Sequence, residues 1–407
     1  MSIFIDMMNS TEIGNIREDL GGRRFNSSDQ HNQALRMRAI QMVDLKAQHD
    51  KLQPILNDKI LEVVNSTAYI KGQEVQLFEQ ELAAYLDVKH VIACANGTDA
   101  LQLAMMALGL KPGDEVITTN FTYVATAEII ALLQLKPVLV DVHPDTFDID
   151  ISAIEKVITP KTKAIVPVHL FGQCSQMEEL VAIAEKHSLF VVEDTAQALG
   201  ADYIYQSGRR QKAGTIGDIG TTSFFPSKNL GCMGDGGALF TNDDDLALKM
   251  RMIANHGQSK QYYHDLVGVN SRLDTIQAAV LRIKLKYLDE YCALRANAAK
   301  VYDELLKDIS GIITPVRAGY SSHVFHQYVL KTHEVNRDEL INYLKSVDIP
   351  CNIYYPVPLN EQKPYMDNSR EFPVTKALCQ SVFALPMHTE LDYEQQEFIV
   401  NQLKRYL

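Results

Sequence analysis

A regular alternation of short apolar runs with helix-like stretches, from Val91 to Glu193, narrows the folds open to this chain. Val91–Ala95, Glu115–Thr119, Val138–Val140, Ala164–Val168 and Phe190–Glu193 read as buried strands. Asn96-Gly97-Thr98 turns the first into a helix through Leu108, and Thr122–Leu133 and Met177–His187 read as further helices. Strands separated by helices predict an α/β fold, a large mostly parallel sheet covered on both faces. Ligands on such sheets bind beyond the carboxyl ends of the strands. Upstream, a helical stretch runs from Leu45 to Val64 and another from Phe78 to Leu86, with Phe78, Leu82 and Tyr85 on one face. Downstream, Asp243–Ala254 and a long Asp274–Leu306 are helical, and residues from Gly311 mix strands such as Gln327–Leu330 with helices such as Arg337–Val347 and Tyr393–Tyr406. The expected layout is an extension over 1–38 without sustained periodicity, a large domain over 39–305 and a small C-terminal α+β domain over 306–407.

Composition removes several function classes. A net charge of -12 over 407 residues speaks against a broad nucleic-acid surface. It leaves room for an anionic substrate, because a local pocket can be basic on an acidic protein. The six cysteines form no C-x-x-C pair, so no metal site is expected. No signal peptide and no transmembrane run are found, which predicts a cytoplasmic protein that binds no membrane.

Polar residues gather at four predicted strand ends. Asn96-Gly97-Thr98-Asp99-Ala100 opens a helix and offers backbone N–H groups and a hydroxyl to a phosphate; it also reads as a plain N-cap by Thr98. Tyr123, within Asn120–Thr126, can stack on a flat ring or sit in the core with its hydroxyl at the edge. Glu193-Asp194 closes an apolar strand, so one carboxylate faces a cleft, where it suits a protonated ring nitrogen, or serves a helix terminus. Ser223–Gly237 carries Lys228 with a hydroxyl before it and glycines after it, although a single lysine is most often a solvated charge. Together these are the parts of a pyridoxal phosphate site: phosphate cradle, ring stacker, ring-nitrogen partner and amine.

From about Met42 onward the chain resembles the DegT/DnrJ/EryC1/StrS family of sugar aminotransferases. The stretches that carry the likeness are Asn96–Leu101, Phe121–Glu128, His169–Cys174, Ser223–Gly237, Val269–Asp274 and Tyr355–Asn360. The resemblance implies fold type I and an obligate homodimer with its sites at the subunit interface. It implies that Lys228 is the Schiff-base lysine and proton shuttle, that Asp194 holds the pyridinium N–H, and that Gln197 bonds the cofactor's phenolic oxygen. Gly97, Thr98 and Ser223 would hold the phosphate, Tyr123 would stack on the ring, and Asn270 would reach the phosphate of the neighbouring subunit's cofactor. Arg272, Tyr354 and Tyr355 are implied substrate contacts, Arg272 for an anionic group; His169 and His256 lie in family motifs without an assigned role. The implied reaction is transfer of the amino group of L-glutamate to a UDP-linked 3-keto-N-acetylglucosaminuronate for O-antigen or another surface polysaccharide, or else to a 4-keto or other 3-keto nucleotide hexose.

Two departures qualify the likeness. Tyr354 stands where look-alikes often carry histidine, exchanging a possible cation for a neutral hydroxyl. The Ile204–Gly217 loop is basic and longer than usual, and is expected on the surface. Rival readings are disfavoured by residues. Lys228 speaks against the sugar dehydratases, which put histidine there. The single glycine of Asn96–Asp99 does not supply the G-x-G-x-x-G of a nicotinamide dehydrogenase. A regulator without turnover would need a DNA-binding module, and no basic helix-turn-helix is evident.

Overall fold

The computed structural model describes residues 38–367 and 369–407; the expected extension, apart from Arg38, lies outside the described residues. The alternation resolves into a seven-stranded sheet of β1 (His90–Cys94), β2 (Glu115–Thr119), β3 (Lys136–Val140), β4 (Thr162–Val166), β5 (Phe190–Asp194), β8 (Ile219–Ser223) and β9 (Gly237–Thr241). The hairpin β6 (Asp202–Ile204) and β7 (Arg210–Lys212) stands apart from it. The order across the sheet is β1-β9-β8-β5-β4-β2-β3. Only β9 runs against its neighbours, so β1, β2, β5 and β8 all present their carboxyl ends at one edge. Residues 40–407 form one compact unit.

Helices cover the sheet: α1 (Leu45–Ser66), α2 (Gln73–Leu86), α3 (Gly97–Ala107), α4 (Ala125–Leu132), α5 (Met177–His187) and α6 (Asp244–Ile253). The expected 122–133 helix starts three residues late. Thr122–Val124 stay outside it as the turn that carries Tyr123. The expected 274–306 helix is two helices, α7 (Thr275–Leu285) and α8 (Leu288–Leu306). The apolar spacing runs on through the junction, but Tyr287 leaves helical angles (φ -108°, ψ 2°), a break that periodicity does not register. The basic 204–217 loop is half hairpin, and its cations are not free: Arg210 and Lys212 both pair with Asp202, each at 3.0 Å. Toward the C-terminus, β12 (Ile312–Ile313), β13 (Tyr328–Thr332) and β14 (Val382–Leu385) make a three-stranded antiparallel sheet, following the small β10–β11 hairpin (Gln258–Lys260, Tyr263–His264).

The end of β5 shows how strand periodicity divides the work of two adjacent carboxylates. Glu193 points into the interior and is fully buried. Its Oε1 accepts from the backbone N–H groups of Ile216 and Gly217, both at 2.6 Å. Its Oε2 accepts from Gly214 N–H at 2.9 Å and from His169 Nε2 at 2.8 Å. His169 in turn accepts from Ser175 N–H through Nδ1, so its ring proton sits on Nε2 and the imidazole is a structural strut. Each oxygen of Glu193 therefore meets two donors. Asp194, one residue on, faces the opposite side and the candidate site.

This arrangement predicts the outcome of Glu193→Gln. Whichever way the amide is turned, its NH2 meets two N–H donors, and the charge that strengthened all four bonds is gone. Loss of about 2–4 kcal/mol of stability is expected, read as a lowered denaturation midpoint. An unchanged midpoint would remove Glu193 from the fold's supports.

Candidate active site

The loop between β8 and β9 holds Lys228 by its backbone. Phe224 N–H donates to Gly236 O (2.7 Å), Cys232 N–H to Phe224 O (2.8 Å) and Lys228 N–H to Phe225 O (2.8 Å). Phe224 is buried and meets Phe78 edge-on, with ring centroids 5.4 Å apart. Other segments grip the same loop: Asn229 Nδ2 donates to Val324 O at 3.1 Å, and Lys284 Nζ to Gly231 O at 2.9 Å. Lys228 is half-buried, and Nζ has no hydrogen-bond partner among the described residues. Burial pushes its pKa down to about 8, while the carboxylate of Asp194 works in the opposite direction. An amine with its pKa lowered this far carries much more of its neutral form near neutral pH than an ordinary lysine, and on a fixed stem it suits a nucleophile.

Asp194 is 7% exposed. Thr126 Oγ1 donates to its Oδ2 at 2.9 Å, and Ala196 N–H to its Oδ1 at 3.1 Å. Thr126, the last residue of the Asn120–Thr126 stretch, thus orients this carboxylate. Its place one turn after Tyr123 is the sequence signal for this role. Gln197 is fixed at both ends: Oε1 accepts from Phe171 N–H at 2.7 Å and Nε2 donates to the Tyr355 hydroxyl at 3.1 Å. Tyr123 is 58% exposed, so it is not a core aromatic; its ring centroid lies 6.2 Å from that of Tyr355.

At the mouth of β1, the residue capping α3 is Asn96, whose side chain accepts from Asp99 N–H at 2.8 Å. The plain N-cap reading of Thr98 therefore fails, and its hydroxyl has no hydrogen-bond partner among the described residues. Gly97 lies so close to β8 that an added Cβ would stand 2.7 Å from Ser223 Cβ; at Gly237 it would stand 2.4 Å from the backbone of Asn96. These bare positions let the N-terminus of α3, Thr98 and Ser223 converge, a cradle of N–H groups and hydroxyls suited to a phosphate. Lysine amine, buried carboxylate, exposed aromatic and anion cradle thus fit pyridoxal phosphate.

Asn270 and Arg272 flank Ser271, whose Oγ accepts from Ala95 N–H at 3.1 Å. Asn270 is exposed on a segment that bridges Asn255. Arg272 lines a cavity of about 240 Å³ with Lys71 and Asn255, and none of Lys228, Asp194 or Tyr123 borders it. Burial and the nearby Arg272 lower the pKa of Lys71. His256 adopts a positive φ of 59° in a turn, where its carbonyl accepts from His264 Nδ1 at 2.9 Å. Tyr354 and Tyr355 are joined by a cis peptide bond, and the Tyr354 hydroxyl accepts from Asn352 Nδ2 at 2.9 Å. Among the described residues no helix is long and apolar enough to cross a membrane.

The profile of the DegT/DnrJ/EryC1/StrS aminotransferase family matches residues 51–404. This chain belongs to that family. It is 46% identical over 353 residues to UDP-2-acetamido-2-deoxy-3-oxo-D-glucuronate aminotransferase of Pseudomonas aeruginosa, spanning 87% of this chain and 96% of that protein. It is 42% identical to UDP-N-acetyl-3-dehydro-alpha-D-glucosamine 3-aminotransferase of Acidithiobacillus ferrooxidans, over 91% of this chain and 98% of that one. A DegT/DnrJ/EryC1/StrS aminotransferase from Brucella abortus superposes with a TM-score of 0.84 at 40% identity, covering 90% of this chain and 99% of that one. NtdA from Bacillus subtilis, solved with its cofactor PMP bound, superposes with a TM-score of 0.79 at 30% identity, over 86% and 80% of the two chains. The chain is therefore a sugar nucleotide aminotransferase of fold type I, and the amine form of the cofactor in a relative implies pyridoxal phosphate here.

The lysine's environment sets a measurable midpoint. In cofactor-free protein, reductive methylation of Lys228 should rise with pH about a midpoint near 8 rather than at the ordinary lysine value of 10.5. Asp194→Asn removes the group that favours the ammonium, so the midpoint should fall further. Peptide-resolved mass spectrometry reads both, and a midpoint above 10 would mean that the amine is solvated.

Proposed function

We propose that this enzyme transfers the amino group of L-glutamate to the 3-keto carbon of UDP-2-acetamido-2-deoxy-3-keto-glucuronate. The product amino sugar nucleotide would serve O-antigen or another surface polysaccharide. The observation that carries the reading is the 46% identity over nearly the whole length of a relative bearing that substrate in its name. The lysine-centred site supplies chemistry of the required kind.

Lys228 Nζ would hold the cofactor through its aldehyde carbon, as an unpartnered amine of lowered basicity. Asp194, oriented by Thr126, would hold the proton on the ring nitrogen. Thr98, Ser223 and the first N–H groups of α3 near Gly97 would take the phosphate. Tyr123 would cover the ring, and the Gln197 amide, already set by Phe171 and Tyr355, would face the phenolic oxygen. When bound, the cofactor supplies an electron sink for the bond being broken. Released, Lys228 Nζ takes the proton from Cα of the donor and, in the second half of the reaction, returns one to C3 of the sugar. Asn270 would reach the phosphate of a neighbouring subunit's cofactor, and Arg272 an anionic group of the substrate. That Arg272 lines a cavity which Lys228, Asp194 and Tyr123 do not border supports a homodimer with shared sites.

The decisive experiment is a half-reaction. The protein is converted to its amine form with L-glutamate, freed of excess donor, and mixed separately with the UDP-linked 3-keto uronate and with 4-keto sugar nucleotides. Rapid return of the cofactor's aldehyde-form absorbance with the 3-keto uronate alone is expected. Return with a neutral 4-keto sugar alone would overturn the substrate and direct attention to the neutral Tyr354. Lys228→Ala should lower turnover by about 10³-fold or more; substantial residual turnover would refute the lysine's role.

A further inference from the structure

The cavity of about 240 Å³ that Arg272 lines has four charged residues in its wall, and only two of them balance each other. Arg251 Nη1 pairs with Glu79 Oε2 at 2.8 Å. Glu79 Oε1 also accepts from Ala93 N–H at 2.9 Å, and Arg251 Nη2 donates to Val91 O at 2.8 Å, so this pair is fully engaged. The other two are Lys71 and Arg272. Neither side chain has a hydrogen bond or an ion pair among the described residues. Burial, and then Arg272, lower the pKa of Lys71, which puts the two cations within electrostatic reach of each other. On a protein of net charge -12, two cations sharing one cavity without an acid stand out.

The backbone holds the two cations in one frame. Ile70 bridges Asp274, Thr275 N–H donates to Tyr69 O at 2.9 Å, and Gly72 N–H donates to Thr275 Oγ1 at 3.1 Å. An added Cβ at Gly72 would stand 2.7 Å from Thr275 Cγ2, so the bare glycine lets the turn close on the start of α7. The turn that carries Lys71 is thereby stitched to the residues that follow Arg272. Lys71 itself has φ 53°, a left-handed conformation that glycine adopts more readily than any residue with a side chain. What lysine adds at this position is its ammonium group.

A volume below the roughly 300–1,000 Å³ of a whole small-molecule site suits one end of a larger ligand. Two unpaired cations suit anionic oxygens, the guanidinium as a planar fork and the ammonium as a point charge. We propose that Lys71 joins Arg272 in a clamp for anionic oxygens of the sugar nucleotide. The reading rests on the proposed function and its homodimer, in which the clamp serves the neighbouring subunit's site. The oxygens belong to the diphosphate or to the C6 carboxylate of a uronate, which offer the same chemistry to the two cations. Lys71 is then a determinant of substrate affinity, supplied by a turn that takes no part in handling the amine.

The test is an equilibrium titration of the holoenzyme with UDP-N-acetylglucosamine, with UDP-N-acetylglucosaminuronate and with inorganic pyrophosphate. Lys71→Gly removes the charge at a position where glycine fits the backbone, and Lys71→Arg keeps both the charge and the strain. Melting temperature and cofactor absorbance show that each variant is folded and loaded. Lys71→Gly should weaken binding by about fivefold or more, and Lys71→Arg should stay within about twofold of the wild type. A loss shared by both sugar nucleotides assigns the clamp to the diphosphate, and a loss confined to the uronate assigns it to the carboxylate. Affinities for both sugar nucleotides that survive Lys71→Gly would overturn the clamp, whatever happens to pyrophosphate. A loss that falls on saturation by L-glutamate instead would also overturn it. If the wild type binds neither UDP sugar, pyrophosphate decides alone. Failure of the functional reading looks different. Turnover of 4-keto sugars only, with Lys71-dependent binding, would overturn the 3-keto uronate and leave the clamp standing. Turnover of the 3-keto uronate with Lys71-independent binding would do the reverse.

Discussion

Four donors converging on the Glu193 carboxylate hold the candidate site in place. A buried carboxylate is costly unless its lone pairs are occupied, and here they are filled by three backbone N–H groups and an imidazole. The donors come from the segment leading into β8 and from the turn after β4, so a single side chain joins three neighbouring parts of the sheet edge. The gain is positional. β5 ends where Asp194 must point, and β8 starts its run toward Ser223 and Lys228 from the same anchor. Thr126 then sets the second carboxylate by one further hydrogen bond.

Around that anchor the site is assembled from loops that the sheet brings to one edge. Placing β9 antiparallel between β1 and β8 is what allows it: Gly237 pairs with both Cys94 and Ser223, so the start of α3 and the end of β8 are drawn together. A parallel strand there would deliver its own carboxyl end to this edge, whereas the antiparallel one delivers its beginning, and the lysine loop closes over a short distance. The lowered basicity of Lys228 follows from burial at this edge. The loop is held from outside by Asn229 to Val324 and by Lys284 to Gly231.

Much of this was legible in the sequence because the signals were local. Apolar runs of strand length marked β1 to β5, and the motif stretches marked Lys228, Asp194 and Tyr123. What stayed illegible depended on contacts distant in sequence. Nothing near Asn96 announces that it, and not Thr98, caps α3; that follows from the path of the backbone into the turn. The break at Tyr287 is invisible because apolar spacing continues through it. The β8 and β9 strands were not read as such, since Ile219–Ser223 is rich in threonine and glycine and takes its burial from neighbours. That Arg272 lines a cavity which Lys228 does not border could not be read from one dimension at all.

The adjacent pair Glu193-Asp194 has a further consequence. In composition and hydropathy the two positions are interchangeable, since both are acids closing an apolar strand. In space they are separated by the thickness of the sheet, one serving as mortar and the other as instrument. A one-residue slip of β5 would leave every bulk property of the sequence intact and yet put the longer acid into the cleft and the shorter one into the wall. Insertions and deletions in the stretch before Phe190 are therefore constrained by parity: changes absorbed outside the strand are tolerated, and those that shift its register by one are not.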